Sequence, residues 1–407
     1  MGGTTLRFNP IAAALEPSPI RELFKVISQP DMISFAGGLP APDAFPVEAF
    51  ADCADVLRTD GRTLLQYGAS EGYGPLREIL LERMSAFLGF AVAPGQLLVT
   101  SGAQQVVDLM ARALLEPGDV VVVEAPTYPG TLHTLRMAGA RFAAVPCDGD
   151  GMQVEALPGV IDRVIAETGR RPKLVYTVPD FSNPTGATLA ADRRARLVEL
   201  ADDLDLPVLE DDPYGRLRYA GEPLPPLTRL AGAGSHVVYA SSFSKVLAPG
   251  VRVAWVVGPT ELIRTMTLLR QGVDLCTSTV TQALVAEYCR RGHLDRHLGR
   301  ILEVYATRRD AMLEAMDRHL DRSAIEWRPP DGGFFVWARF PDREADAVFE
   351  RAVAEGVAFV PGGAFYPAPA EQVGQPVTGP DRARLCFTFA DAHAIDEGCR
   401  RFARALG

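Results

Sequence analysis

Lysine is nearly absent from this chain. Lysine and arginine together number 41, yet only Lys25, Lys173 and Lys245 are lysine. Arginine therefore fills almost every ordinary cationic role, and a retained lysine is a candidate for something guanidinium does badly. Imine formation with an aldehyde is one such task, because guanidinium stays protonated and is a poor nucleophile. Other absences narrow the choices further. No apolar run approaches the length that crosses a bilayer, and Met1 to Pro10 holds no signal-peptide core. No block of basic residues stands out and the net charge is −10, which disfavours nucleic acid or an anionic membrane as partner. The six cysteines, Cys53, Cys147, Cys276, Cys289, Cys386 and Cys399, form no CxxC pair. They read as buried thiols in a reducing cytoplasm, with neither a disulfide frame nor a metal site expected.

What is present is enough apolar residue for a large core. Hydrophobic residues make up 47% of 407, and a chain of that length divides naturally into two domains. From Leu97 onward, short apolar runs alternate with helical spacing. The runs Leu97–Val99, Val120–Val123, Phe142–Val145, Leu174–Val178, Pro207–Leu209, Val237–Ala240 and Val253–Val257 read as strands. Helices fall between them, at 104–115, 131–137, 154–166 and 190–204. Continuous apolar strands alternating with helices indicate an α/β fold with a mostly parallel sheet covered on both faces. Past Gly258 the pattern becomes α+β, with a long helix at 297–320 and strands at 333–340 and 384–389. The expected organisation is an N-terminal arm over 1–50, a large domain over 51–295 and a small α+β domain over 296–407.

Ligands in such sheets bind at the carboxyl ends of the strands, and there the chain places its unusual segments. Ser101-Gly102-Ala103-Gln104 leads from a strand into a helix, and exposed N–H groups at a helix start attract anions. Asn183-Pro184-Thr185-Gly186 is a simple turn or part of a site. Glu210-Asp211-Asp212-Pro213-Tyr214 suits a magnesium site or a helix cap. Ser241-Ser242-Phe243-Ser244-Lys245 ends the next apolar run, and Arg252 follows seven residues on. Lys245 by itself is either a surface loop lysine or the imine-forming amine.

Taken as a set, these segments resemble the fold type I, pyridoxal-phosphate-dependent aminotransferases, over essentially the whole chain. The resemblance implies pyridoxal 5′-phosphate as cofactor, with Lys245 as the residue that holds it as an imine. It implies that Asp211 faces the pyridine nitrogen and that Tyr214 and Asn183 bond the ring's phenolic oxygen. Tyr128 would stack on the ring. Ala103, Gln104, Ser242, Ser244 and Arg252 would form the phosphate cup. Tyr67, in Gln66-Tyr67-Gly68, would reach the phosphate from the other subunit of a homodimer, and Arg384 would clamp the substrate α-carboxylate. The residue types suit the chemistry. A carboxylate favours the protonated, electron-withdrawing ring, the lysine amine can shuttle a proton at substrate Cα, and an arginine fork binds a carboxylate through two bonds.

Within that family the segments Ser18-Pro19-Ile20-Arg21-Glu22-Leu23 and Ser34-Phe35-Ala36-Gly37-Gly38-Leu39-Pro40 most resemble the 2-aminoadipate and kynurenine aminotransferase II branch. There Arg21 would pair with a distal substrate carboxylate and Gly38 would lie near the α-carboxylate, implying glutamate and 2-oxoglutarate as one substrate pair. Cys276 stands where the branch is expected to have histidine. Asp180-Phe181-Ser182 precedes Asn183 where the branch more often has a glutamine before the asparagine, so Asp180 adds a negative charge near the strand end that carries the site residues. Two other outcomes share the site: a different pyridoxal-phosphate reaction, such as substitution, decarboxylation, oxidation or carbon–carbon bond formation, and an effector-sensing regulator. The regulator carries a winged-helix domain ahead of the arm. An arm that begins by Arg7 and an acidic chain disfavour it.

Overall fold

The protein's structure, a computed structural model, describes residues 6–13, 15 and 31–407. Its strands are Ile33–Ser34 (β1), Leu97–Thr100 (β2), Val120–Ala125 (β3), Arg141–Asp148 (β4), Gly151–Met152 (β5), Leu174–Thr177 (β6) and Val208–Asp211 (β7). Val237–Ser242 (β8), Ala254–Val257 (β9), Glu326–Trp327 (β10), Phe335–Arg339 (β11), Val357–Ala358 (β12), Val360–Pro361 (β13) and Arg382–Cys386 (β14) complete them. The central sheet has eight strands in the order β2-β9-β8-β7-β6-β3-β4-β5. Strands β8, β7, β6, β3 and β4 pair in parallel. β9 runs antiparallel to both β2 and β8, and β5 turns back on β4.

The apolar runs form strands because both faces of the sheet are covered. Successive side chains on a strand point to opposite faces, so Val121 and Val123 enter one core while Val120 and Val122 enter another. The first core is closed by the helices Ala103–Leu114 and Thr260–Gln271, through Val106, Leu109, Met110, Ile263 and Met266. The second is closed by Leu157–Thr168 and Ala191–Asp203. Each fully buried valine or leucine contributes roughly 1.5–3 kcal/mol relative to exposure. A third cluster packs the helix Gly74–Leu88 against Val99, Tyr239 and Trp255.

A four-stranded antiparallel sheet, β10-β11-β14-β13, forms beyond the long helix His293–His319. Val336, Ala338, Ala383 and Leu385 from this sheet pack with Ile395, Cys399 and Phe402 of the last helix, Ala392–Leu406. The chain ahead of the first long helices is tied to this part of the molecule. β1 pairs in parallel with β12, the Phe35 N–H donates to Ala358 O at 2.7 Å, and the Cys386 N–H donates to Phe35 O at 2.8 Å.

Three details depart from the sequence reading. The helices Val56–Leu64 and Gly74–Leu88 were not foreseen. In the second, Leu76, Leu80, Met84 and Leu88 are buried at four-residue spacing, but Ile79, Leu81 and Phe87 on the flanks blur that stripe. Nor was the helix Val47–Asp52 foreseen, at the end of the expected arm. Four of the cysteines are buried, whereas Cys147 and Cys276 are partly exposed. Among the described residues no helix is long and apolar enough to cross a membrane.

Candidate active site

Five strands that point the same way, β2, β3, β6, β7 and β8, deliver their following residues to one edge of the sheet. β7 ends in Glu210 and Asp211, Asp212 follows directly, and the alternation of the chain sends the three acids to different places. Glu210 accepts from the N–H groups of Leu227 and Thr228, at 2.7 and 2.9 Å, and from the Thr228 hydroxyl at 2.7 Å. It therefore caps the helix Leu227–Ala231, and burial pushes it up to about 7. Asp212 accepts from the Tyr239 hydroxyl at 2.8 Å and from the Gly215 N–H at 2.7 Å. Only Asp211 keeps a free oxygen. Its Oδ2 accepts from the Tyr176 hydroxyl at 2.7 Å, while its Oδ1 is buried with no hydrogen-bond partner. Burial pushes Asp211 up to about 6, against the Tyr176 bond, which pulls it down. It is still mostly ionised at neutral pH.

Lys245 lies in the turn after β8, anchored by Phe243, which is 2% exposed and packs its ring 5.0 Å from that of Trp255. The Lys245 Nζ donates to Gly38 O at 2.8 Å and lies 5.4 Å from the Phe334 ring centre and 5.9 Å from that of Tyr214. Burial pushes its pKa down to about 8, helped by the charges of Arg384 and Arg252. Tyr214 is buried, its ring edge-on to Phe334 and Phe335, and burial pushes its phenol upward while the Arg384 charge opposes. Arg384, on β14, is 1% exposed. It donates to Asn183 Oδ1 at 2.7 Å and to Ala36 O at 2.6 Å. The Phe335 and Phe365 rings lie 4.4 and 4.9 Å from its guanidinium carbon. Gly38 is wedged here, since a Cβ would lie 3.1 Å from the Phe335 ring. Lys245, Tyr214, Asn183, Arg384 and Gly38 are thus one cluster, although they are spread over most of the chain.

A second group gathers at the end of β2. Ala103 opens the helix Ala103–Leu114, with Gly102 as N-cap at φ +95°. Arg252 sits at φ +50°, and this left-handed residue turns its side chain back so that Nη2 donates to Ser101 O at 3.3 Å. A Cβ on Gly102 would fall on that guanidinium. The hydroxyls of Ser242 and Ser244 are 2.7 Å apart. Gln104 is placed differently from a phosphate ligand. Its side chain donates to Gly130 O at 2.8 Å and to Thr134 Oγ1 at 2.5 Å, which leaves its backbone alone for an anion. Tyr128 caps the neighbouring helix Pro129–Met137. Tyr67 is 80% exposed within the single chain. Arg21 lies outside the described residues.

Asp180 does not add uncompensated charge. It pairs with Arg194 at 2.9 Å and Arg218 at 3.2 Å, both nearly buried. Cys276 lies between Asp274 and Thr277, two members of a network that sequence reasoning missed. Asp274 accepts from Ser101 Oγ at 2.9 Å, Gln105 at 2.8 Å and Arg270 at 3.0 Å. Arg270, fully buried, also donates to Ser70 O, Val99 O and Thr277. Its signal was an arginine on the apolar face of a helix, which needs partners to be buried. Tyr176 was likewise passed over inside an apolar strand. A buried phenol normally finds a hydrogen-bond partner, and that rule pointed to a nearby acceptor.

The donor set suits a phosphorylated pyridine aldehyde. It offers an amine of lowered pKa, an ionised carboxylate with an orphaned buried oxygen, and a cradle of hydroxyls, helix N-terminus and guanidinium that a single Cβ would fill. No group of three or more histidine, cysteine or acidic side chains able to hold a metal ion occurs among the described residues.

Comparison with known proteins agrees. The family profile "Aminotransferase class I and II" matches residues 30–402. An aromatic-amino-acid aminotransferase from Thermococcus litoralis is 40% identical over 98% of this chain and 94% of its own length. The Pyrococcus horikoshii kynurenine aminotransferase structure superposes with a TM-score of 0.90 at 40% identity, covering 98% of this chain and 96% of that one. The α-aminoadipate aminotransferase of Thermus thermophilus, solved with N-(5′-phosphopyridoxyl)-L-leucine, gives 0.87 at 38% identity over 98% and 97%.

Proposed function

Because the chain belongs to the class I and II aminotransferases, transferases that use pyridoxal 5′-phosphate, we propose that Lys245 is the amine that holds the cofactor and moves the proton at substrate Cα. Asp211 carries the reading, as a buried carboxylate with one oxygen bonded by Tyr176 and the other without a partner. That oxygen would face the ring nitrogen. Ser242, Ser244, Arg252 and the N–H groups at Ala103 and Gln104 would hold the phosphate, and Tyr128 would stack on the ring. When bound, the protonated ring withdraws the electron pair left as Cα loses its proton.

The rest falls to the chain's own side chains. Arg384 binds the α-carboxylate through its fork, with Gly38 beside it, and so orients the Cα–H bond. Asn183 and Tyr214 supply donors beside the lysine. A pKa of about 8 leaves roughly a tenth of the Lys245 amine neutral at pH 7, against a few ten-thousandths for an ordinary lysine. The Phe334 and Tyr214 rings, 5.4 and 5.9 Å from Nζ, form the apolar side of that amine's surroundings.

Glutamate and 2-oxoglutarate form one substrate pair in this reading, and the names of the relatives support aromatic or long acidic amino acids for the other. The working unit is a homodimer in which Tyr67 reaches the partner's phosphate; its exposure supports this. The chain divides into an arm (1–50), a cofactor-binding domain (51–295) and a small domain (296–407). The separate core drawn from Phe35 and residues 312–406 supports that division.

Purified protein titrated with pyridoxal phosphate should develop a visible absorbance band that glutamate bleaches and 2-oxoglutarate restores. Lys245→Ala should abolish turnover. A band that glutamate leaves unchanged refutes the assigned substrate pair.

A further inference from the structure

We infer that Tyr176 is a positioning residue: its hydroxyl selects which oxygen of Asp211 is presented to the cofactor ring. The inference rests on the reading of Asp211 given above and adds a residue to it.

The register makes the contact. Tyr176 on β6 is the Cα partner of Leu209 on β7. Asp211 lies two residues beyond Leu209, so its side chain leaves the sheet on the same face as that of Tyr176. The neighbouring Thr177 points to the other face, where it donates to Glu124 at 2.6 Å. Tyr176 is fully buried. It donates to Asp211 Oδ2 at 2.7 Å, and the side chain of Thr131, 2% exposed, acts on the same phenol against the effect of burial.

This leaves Asp211 asymmetric. Oδ2 is satisfied inside the protein, and Oδ1 is buried with nothing bonded to it. A carboxylate with two free oxygens could rotate and present either one. A carboxylate pinned at Oδ2 presents Oδ1 only. The bond also opposes the desolvation that burial imposes, with the Asp212 charge acting in the same sense as burial. Thr131 belongs to the first turn of the helix that Tyr128 caps. The chain Thr131–Tyr176–Asp211 therefore ties the residue proposed to stack on the ring to the residue proposed to hold its nitrogen. An interaction that merely satisfied a buried phenol would not need to fall on the one acid of three that keeps a free oxygen.

Tyr176→Phe keeps the ring packing and deletes only the hydroxyl. Two readouts besides turnover test it: the affinity of apoprotein for pyridoxal phosphate, and the pH midpoint of the visible absorbance of the bound cofactor. Losing one bond to a charged group predicts a roughly tenfold weaker affinity. The midpoint should move upward, because a less fully protonated ring draws less charge from the Lys245 nitrogen, which then keeps its proton to higher pH. Asp211→Asn should move it in the same direction and further. Thr131→Val loosens the same hydroxyl from its other side and should give a smaller shift of the same sign. It also carries the test if Tyr176→Phe does not fold, as judged by circular dichroism. If Asp211→Asn moves the midpoint while both Tyr176→Phe and Thr131→Val titrate as wild type, the positioning role is wrong. If Asp211→Asn itself changes neither readout, the reading of Asp211 fails and this inference falls with it.

Discussion

Replacing Arg384 by lysine keeps the charge and removes the planar fork. In the structure the guanidinium is almost wholly buried, donates to Asn183 and Ala36, and lies between the Phe335 and Phe365 rings. An arginine fork gives a substrate carboxylate two parallel bonds, each worth about 1.5–3 kcal/mol because both partners are charged. An ammonium keeps one of them. It also fits the flat slot between two rings less well, at a cost of about 1 kcal/mol. The net loss is about 2.5–4 kcal/mol, or roughly 70- to 900-fold in kcat/KM. Stopped-flow bleaching of the cofactor band by glutamate measures this directly. The loss should fall mainly on KM, while cofactor affinity stays within about twofold, because Arg384 is not among the residues assigned to the phosphate or ring. Guanidinium ion added to Arg384→Ala should restore part of the rate. A KM raised less than about threefold in Arg384→Lys would refute the assignment of the α-carboxylate to this side chain. So would a cofactor affinity that fell as far as the rate.

The remaining expectations concern Lys245, the phosphate cradle and the network beside it. Burial sets Lys245 at about 8 in the folded chain against 10.5 for a free lysine. The rate at which apoprotein captures pyridoxal phosphate should therefore rise about tenfold from pH 7 to pH 9 and then level off; a rise that continues past about pH 10 contradicts this. Since the folded pKa is the lower one, the cost of burying the charge is present at neutral pH and is relieved between about 8 and 10.5. Apoprotein, but not Lys245→Met, should gain stability across that window, as denaturant titration would show. Gly102→Ala places a Cβ on the Arg252 guanidinium at φ +95°. It should weaken cofactor binding roughly tenfold or more and leave the affinity for pyridoxal without its phosphate nearly unchanged. Asp274→Asn weakens the bonds to Ser101, Gln105 and the buried Arg270. It should lower stability by about 1–3 kcal/mol in thermal unfolding and loosen phosphate binding; unchanged stability would show the network to be incidental.

Apolar runs separated by helical spacing were enough to read an α/β fold with a mostly parallel sheet, because a strand buried on both faces needs continuous apolar sequence. The order of Asn183, Asp211, Lys245 and Arg252 along the chain was enough to name a family, because each lies at a strand end or in the turn beside it, on one side of the sheet. Other features follow from contacts between residues far apart in sequence, and composition carries no trace of them. Three adjacent acids at 210–212 look alike in sequence. The pleat of β7 and the neighbours on each face gave one to a helix cap, one to Tyr239 and one to the site. Asp180 looked like an added charge until Arg194 and Arg218 closed on it. The antiparallel β9 and the helix Gly74–Leu88 were decided by what they pack against. Chemistry was legible from residue types and spacing. Which acid oxygen is free and which arginine lies against two aromatic rings were settled only when the tertiary fold chose their partners, and burial in the same fold pushes Lys245 down to about 8.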